Sequence, residues 1–86
     1  MRILITIDEN DPLGQFIMHM AQQVDETPEQ VAIDLARTSF ESTVRKYHVR
    51  FMAGEFTHGG FADLLGIERL DLIHLLDDLA LPATNI

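Results

Sequence analysis

The fold is decided by residues 56–82, FTHGGFADLLGIERLDLIHLLDDLALP. Thr57 can cap a short helix that runs to about Leu65, and Gly66 supplies the turn that follows it. A second, longer helix is predicted from Glu68 to Leu79, before a proline that stops it. Its inward leucines recur at helical spacing, and they are Leu72, Leu75, Leu76 and Leu79. This stretch therefore predicts a helical hairpin.

The hairpin fits a helix-turn-helix template when His58 takes the first place. Ala62 then falls at the tight place between the helices, Gly66 at the turn, and Leu72 and Leu75 at core places. The outward positions of the second helix are Glu68, Arg69, Leu70, Ile73 and His74. A DNA reader usually carries Arg, Lys, Asn or Gln there, so the shape indicates DNA whereas the side chains indicate a protein partner.

Composition narrows the class of protein. A chain of 86 residues forms one domain or two very small ones, and 47% hydrophobic residues favour folding over disorder. The absence of cysteine excludes disulfides and thiolate metal sites and is consistent with the cytoplasm. The net charge of −8 opposes general attraction to nucleic acid. That charge favours either a basic protein partner or simple solubility.

The N-terminal segment, residues 2–7, gives the one strand signal. Its residues alternate, with Ile3, Ile5 and Ile7 on one face and Arg2, Leu4 and Thr6 on the other. No other segment offers such a strand a partner, so we expect a homodimer through Arg2 to Ile7, paired as an antiparallel ribbon. The apolar run is too short for a signal peptide or a membrane span, so we expect no membrane partner and a cytoplasmic location.

Two further helices are predicted between the ribbon and the hairpin. The first begins at Pro12, after Asp11 as N-cap, and runs to about Val24. Its apolar stripe comprises Leu13, Phe16, Ile17, Met20 and Val24. The second begins with the capping box Thr27-Pro28-Glu29-Gln30 and runs from Pro28 to about Ala53. Its apolar stripe comprises Ile33, Ala36, Phe40, Val44, Tyr47 and Phe51. A break near residue 40 is the alternative, because Thr38-Ser39 and Ser42-Thr43 are poor helix formers.

A strand followed by two helices resembles a ribbon-helix-helix domain over Arg2 to about Tyr47. This resemblance implies that Arg2, Leu4 and Thr6 read bases and that Thr27 holds a phosphate. The alternative is that the ribbon only dimerises the chain. Leu4 is a poor base reader and nearby acids would repel a phosphate, so this alternative is slightly favoured.

A second resemblance covers residues 51–82. The features that carry it are Phe51, Gly54, Ala62, Leu65-Gly66-Ile67, Arg69, Asp71-Leu72, Leu75-Leu76 and Leu81-Pro82. In these features the chain resembles an uncharacterised prokaryotic family of small antitoxin-like proteins, typically encoded beside PIN-domain nuclease toxins. The chain departs from the family pattern at Gly59-Gly60, at Phe61 and at Leu70, where an aromatic is more usual. The resemblance implies a toxin-neutralising role and autoregulation of an operon.

The last helix is the candidate for contact with such a toxin. A nuclease attracts phosphates, and an acidic, leucine-rich helix could occupy its active-site groove. We assign Leu70 and Ile73 as exposed anchors, with Asp71, Asp77 and Asp78 as the acidic rim. The alternative is an ordinary amphipathic helix with a solvated outer face.

Catalysis has little support. The histidines are scattered and no pair has the spacing of a zinc motif; they are His19, His48, His58 and His74. The pair Gly59-Gly60 lacks the preceding strand and the lysine of a phosphate-binding loop. We therefore expect no enzyme, with no catalytic residue, cofactor or metal.

Taken together, the sequence predicts a mainly α protein with one N-terminal β-strand paired across a dimer, followed by a helix-turn-helix-like hairpin. Residues 1–53 would form the dimerisation region and residues 54–86 the partner-binding segment. The predicted function is neutralisation of a PIN-type nuclease toxin, with operator DNA as a further partner. One alternative is a small dimeric transcription regulator without a toxin, in which Arg2 and Arg69 bind DNA. A structural adaptor is a third.

Overall fold

The computed structural model describes residues 1–84, and it places four α-helices along them. These helices are α1 (Pro12–Val24), α2 (Pro28–Met52), α3 (His58–Leu65) and α4 (Arg69–Asp78). The chain forms two compact units, Met1–Thr38 and a second that begins at Ser39. The predicted functional division at residues 53 and 54 stays a prediction.

The predicted N-terminal strand is wrong, and with it the fold class of a ribbon-helix-helix-like protein. No strand is present in residues 1–84, and residues 1–7 have no regular secondary structure. Alternating isoleucines favour an extended backbone, but a strand also needs a neighbour for its N–H and C=O groups. No other described segment provides one. Only Ile7 packs, against a small cluster formed by Ile17, Ala21 and Val31.

The turn before α1 explains how that helix starts. Asp11 occupies the N-cap and Pro12 the first turn, as predicted, but the Asp11 side chain makes no capping hydrogen bond. Asp8 organises the turn instead. Its Oδ1 accepts a hydrogen bond from the Asn10 N–H at 2.9 Å, and its carbonyl accepts one from the Asp11 N–H at 3.0 Å. The turn passes so close to α1 that Gly14 is buried against it.

The helix α2 is continuous, which confirms one long helix rather than two. The Thr27 hydroxyl accepts a hydrogen bond from the Gln30 N–H at 3.1 Å, which caps its first turn. The weak stretch near residue 40 does not break, and the Thr43 hydroxyl donates to the Ser39 carbonyl at 3.0 Å. Gly54 follows the helix in a left-handed conformation with φ 81°.

In the first unit, the buried cluster is small. It consists of Ile17, Ala21 and Val31, with Ile7, Met20 and Ala32 packed against it. The predicted stripe of α1 is therefore only partly covered: Ile17 is buried, but Leu13, Phe16 and Val24 are exposed. Ile33 of α2 is also exposed, because Val31 is the residue that α2 contributes to this cluster.

The second unit has the larger core. Its buried residues are Val44, Phe51, Phe61, Ala62, Leu72 and Leu76. Phe61 lies at the centre, with its ring centroid 5.5 Å from those of Phe51 and Phe56. The predicted hairpin is present: the Thr57 hydroxyl caps α3, and Gly66 ends it in a left-handed conformation with φ 70°. Phe40, from the predicted α2 stripe, stays exposed.

Two histidines hold the segment after α4 onto this core. Nε2 of the buried His48 lies 2.8 Å from the Pro82 carbonyl oxygen, and Nε2 of His58 contacts the Ala83 carbonyl oxygen. A carbonyl oxygen only accepts, so each Nε2 carries the proton and donates. The Leu81 N–H also donates to the Leu76 carbonyl at 2.8 Å. The segment is thus fixed, which holds α4 against α3.

Candidate partner-binding face

The orientation of α4 follows from its leucines. Leu72 and Leu76 are fully buried, and Leu75 and Leu79 pack partly against the same core. With Glu68 at the N-cap, the helix starts so that these four residues share one side. The opposite side of α4 therefore faces solvent.

Two large apolar side chains lie on that solvent side. Leu70 is 64% exposed and Ile73 is 39% exposed. They are three residues apart, which makes them neighbours on the helix surface. Neither belongs to the buried core of the second unit or to the residues packed against it. The fold therefore does not account for this apolar pair.

The three predicted rim acids are all exposed on α4. Asp71 lies in the first turn, where the helix dipole favours a negative charge. Asp77 and Asp78 lie at the other end, where the dipole disfavours it, and the last turn contains no base. Among residues 1–84 the single ion pair is Arg50 with Glu55, so no cation neutralises these acids. We call Leu70, Ile73, Asp71, Asp77 and Asp78 the α4 face.

Helical spacing brings the anchors and acids together. Asp77 lies one turn after Ile73 and two turns after Leu70, so the three side chains share one side of the helix. Asp71 and Asp78 are two turns apart and lie along its flank. The face thus combines an apolar centre with a negative edge, which suits an apolar and positively charged surface on a partner.

The predicted DNA-binding residues do not form a comparable face. Arg2, Leu4 and Thr6 are exposed in the irregular N-terminal segment, and none of them makes a hydrogen bond or ion pair within residues 1–84. The Thr27 hydroxyl is already used by the Gln30 N–H, with Glu26 and Glu29 beside it. Arg69 is exposed at the start of α4, next to Glu68 and one residue before Leu70.

One surface was missed by the sequence prediction. A groove of about 250 Å³ opens in the first unit. It is lined by Phe16, Met20, Val24, Glu26, Val31, Asp34, Leu35 and Thr38. The signal for it lies in α1, whose apolar stripe is too wide for the three-residue cluster to cover. The periodicity identified the stripe but not the part of it left open.

Some classes of site are absent from the described part of the chain. Within residues 1–84 no three acidic or histidine side chains come together as metal ligands would. No helix in the same range has both the length and the apolar character that crossing a bilayer requires. The expectation that the chain is not an enzyme stays a prediction.

Comparison with models of known protein families, with curated proteins and with solved structures found no match.

Proposed function

We propose that this chain is an antitoxin-like binding protein whose α4 face covers a basic groove on a nuclease of the PIN type, in the cytoplasm. The observation that carries the proposal is the α4 face itself. Leu70 and Ile73 are exposed on the side of α4 that the core does not use. A protein interface commonly has an apolar centre inside a polar rim, which is the arrangement of these side chains.

The acids of α4 indicate that the partner is positively charged. Asp77 and Asp78 stand where the helix dipole disfavours them, so their position costs stability instead of adding to it. A positively charged partner would offset that cost. Nucleases that bind RNA present positive surfaces to phosphate, and the net charge of −8 would accelerate association with such a surface.

DNA binding has weaker support. Exposed acids outnumber the single base, Arg69, along α4, and phosphates would be repelled by the same residues that favour a basic protein. We therefore place the toxin-binding function first. Repression of an operon would need a different surface or the complex with the partner.

The proposal is tested with the protein encoded beside this gene. The two proteins are expressed separately, and cleavage of a single-stranded RNA by the neighbour is measured while this chain is titrated in. The wild-type chain is expected to abolish cleavage near equal concentrations. Leu70→Ala with Ile73→Ala should weaken inhibition by about 30-fold or more, as loss of an interface anchor pair does. Changing the three rim acids to asparagine should slow association and reduce its salt dependence.

Val49→Ala is the matched control. Val49 is 69% exposed but lies on α2, outside the α4 face, so inhibition should stay at the wild-type level. The proposal fails if the neighbouring protein does not cleave RNA, or if it cleaves RNA and the wild-type chain does not inhibit it. Wild-type inhibition by both the double alanine variant and the asparagine variant would show that α4 is not the binding face.

A further inference from the structure

We propose that the groove of the first unit is filled by the N-terminal segment of a second copy of this chain, so that two chains exchange segments. We call residues 1–7 the arm, and the cleft lined by Phe16, Met20, Val24, Val31 and Leu35 the groove. The expected homodimer through Arg2 to Ile7 is then formed by docking of arms into grooves. The proposal does not rest on the antitoxin function.

The groove needs an apolar occupant. Its walls are aliphatic and aromatic side chains, among which Phe16, Val24 and Leu35 remain substantially exposed. Burying them against another apolar surface is favourable, and nothing else in the first unit covers them. The volume of about 250 Å³ accommodates a few side chains.

The two acids at the rim of the groove favour a positively charged occupant. Glu26 and Asp34 lie in its lining. Asp34 accepts a hydrogen bond from the Gln30 side chain at 2.9 Å, but that donor is neutral. Neither carboxylate forms an ion pair within the described residues. An occupant that carries a cation beside its apolar side chains is therefore favoured over a neutral or acidic one.

The arm has both properties. Three consecutive side chains are largely exposed: Ile3 at 77%, Leu4 at 94% and Ile5 at 74%. Residues 1–7 contain Arg2 and no acid, in a chain whose net charge is −8. No backbone group of the arm makes a hydrogen bond within residues 1–84, so the arm is free to adopt the shape that the groove requires. Residues 1–6 of the arm are thus apolar and positively charged, and only Ile7 packs on the cluster of its own chain.

Other surfaces of a second copy fit less well. The apolar pair Leu70 and Ile73 is flanked by acids, which Glu26 and Asp34 would repel. The outer side of α2 near Val49 carries Arg45 and Lys46, but its exposed apolar side chains are only Val49 and the less exposed Met52. The arm offers three, on a segment without regular secondary structure. A twofold dimer would insert both arms at once, which doubles the buried surface.

Ile7, the last residue of the arm, is held in place beside the helices of the first unit. Ile7 packs on the cluster formed by Ile17 and Ala21 of α1 and Val31 of α2. The turn at Asp8, which accepts hydrogen bonds from the Asn10 and Asp11 N–H groups, then fixes the direction in which the chain enters α1. Each arm therefore leaves its own chain beside α1, which lines one side of the groove.

Sedimentation equilibrium of the full chain over a range of concentrations measures the association. The wild type is expected to form dimers. Ile3→Ser with Ile5→Ser should raise the dimer dissociation constant by about 100-fold, because the two apolar contacts per arm are lost. Val49→Ser, a change at a similarly exposed position on α2, should leave the constant unchanged. All of these side chains are exposed, so the helix content by circular dichroism should not change.

Mixing two defective variants tests exchange directly. The arm variant Ile3→Ser/Ile5→Ser keeps its groove, and the groove variant Phe16→Ser/Val24→Ser keeps its arm. Neither should dimerise alone, but a mixture should form heterodimers with one intact arm in one intact groove. The chain has no cysteine, so Ser42→Cys labels one component at a single exposed site for detection.

The outcomes separate the alternatives. Heterodimers in the mixture, absent from each variant alone, support arm exchange. A wild type that stays monomeric at every concentration overturns it and indicates an arm folded onto its own groove or left in solvent. Dimers that resist both the arm and groove changes but weaken with Val49→Ser place the interface on α2 and also overturn it. Loss of dimers with arm changes, without recovery in the mixture, indicates arm-to-arm contact instead.

Discussion

Gly14 determines how the chain enters α1. A Cβ atom at this position would lie 2.1 Å from the Asp8 carbonyl oxygen and 2.8 Å from the Glu9 Cα, and both are backbone atoms that cannot rotate away. In an ordinary helix, glycine to alanine stabilises by about 1 kcal/mol. Here we expect Gly14→Ala to destabilise the protein by about 1–3 kcal/mol, because the turn must move off the helix. Urea unfolding followed by circular dichroism measures the change.

Gly59→Ala is the control for this prediction. Gly59 is also helical, but its Cβ would meet only the Thr57 hydroxyl, at an ordinary 3.7 Å. The same substitution should therefore be neutral or stabilise by up to about 1 kcal/mol. If both variants changed stability in the same direction, the close approach of the Asp8 turn would not be the reason for Gly14.

Ala80 gives a prediction of the opposite sign. It has a left-handed backbone with φ 56°, just after α4, in a place where glycine is the usual residue. A left-handed conformation costs a residue with a Cβ about 1 kcal/mol, so Ala80→Gly should raise the free energy of unfolding by about that amount. Ala36→Gly, in the exposed middle of α2, should lower it by a similar amount. Thermal unfolding of both variants measures these changes. If both substitutions shifted the unfolding temperature equally and in the same direction, the left-handed backbone at Ala80 would not be the cause.

At the scale of the helix, α4 separates residues needed for folding from residues left for binding. Leu72→Ala should cost about 2–5 kcal/mol, because it empties a fully buried position in the core. Leu70→Ala with Ile73→Ala should cost less than about 1 kcal/mol in total, because both side chains contact solvent. Urea unfolding of the two variants tests this contrast. A large loss from the double variant would assign the pair to folding and remove the main support for the α4 face.

The helix ends show how far local sequence goes. Pro12, Thr27, Thr57 and Gly66 predicted where helices start or stop, and each of these signals acts within about one turn of the chain. The arm shows where local sequence fails. Its alternation is a sound preference for an extended backbone, but a strand exists only with a neighbour, and that is a property of distant segments.

The same distinction applies to the candidate surfaces. Leu70 and Ile73 could be assigned as outward because four leucines fixed the opposite side of α4. The groove could not be predicted, because the stripe from Leu13 to Val24 does not reveal which members a neighbour will cover. The close contact at Gly14 could not be predicted either, because Asp8 and Glu9 approach it through a turn and not through helical spacing.

At the scale of the whole molecule, the two units have very different cores. The first has three buried apolar residues, none aromatic, whereas the second has six among its residues up to 84, including Phe51 and Phe61. Stability follows buried apolar surface, so the first unit should open more often. We expect amide hydrogen exchange in α1 to be faster than in α3 and α4, measured by mass spectrometry on dilute protein. Raising the protein concentration should slow exchange in α1 if the arms then occupy the grooves.

Two core variants complete this prediction. Ile17→Ala should accelerate exchange in α1 and the first turns of α2 while leaving α3 and α4 unchanged, because it empties part of the first cluster alone. Leu76→Ala should accelerate exchange in α3 and α4 by emptying part of the second. An equal acceleration throughout the chain from either variant would mean that the protein unfolds as one cooperative body. The protection of α1 from hydrogen exchange would then depend on the core of the second unit. The continuous helix α2, with 25 residues, would link the two.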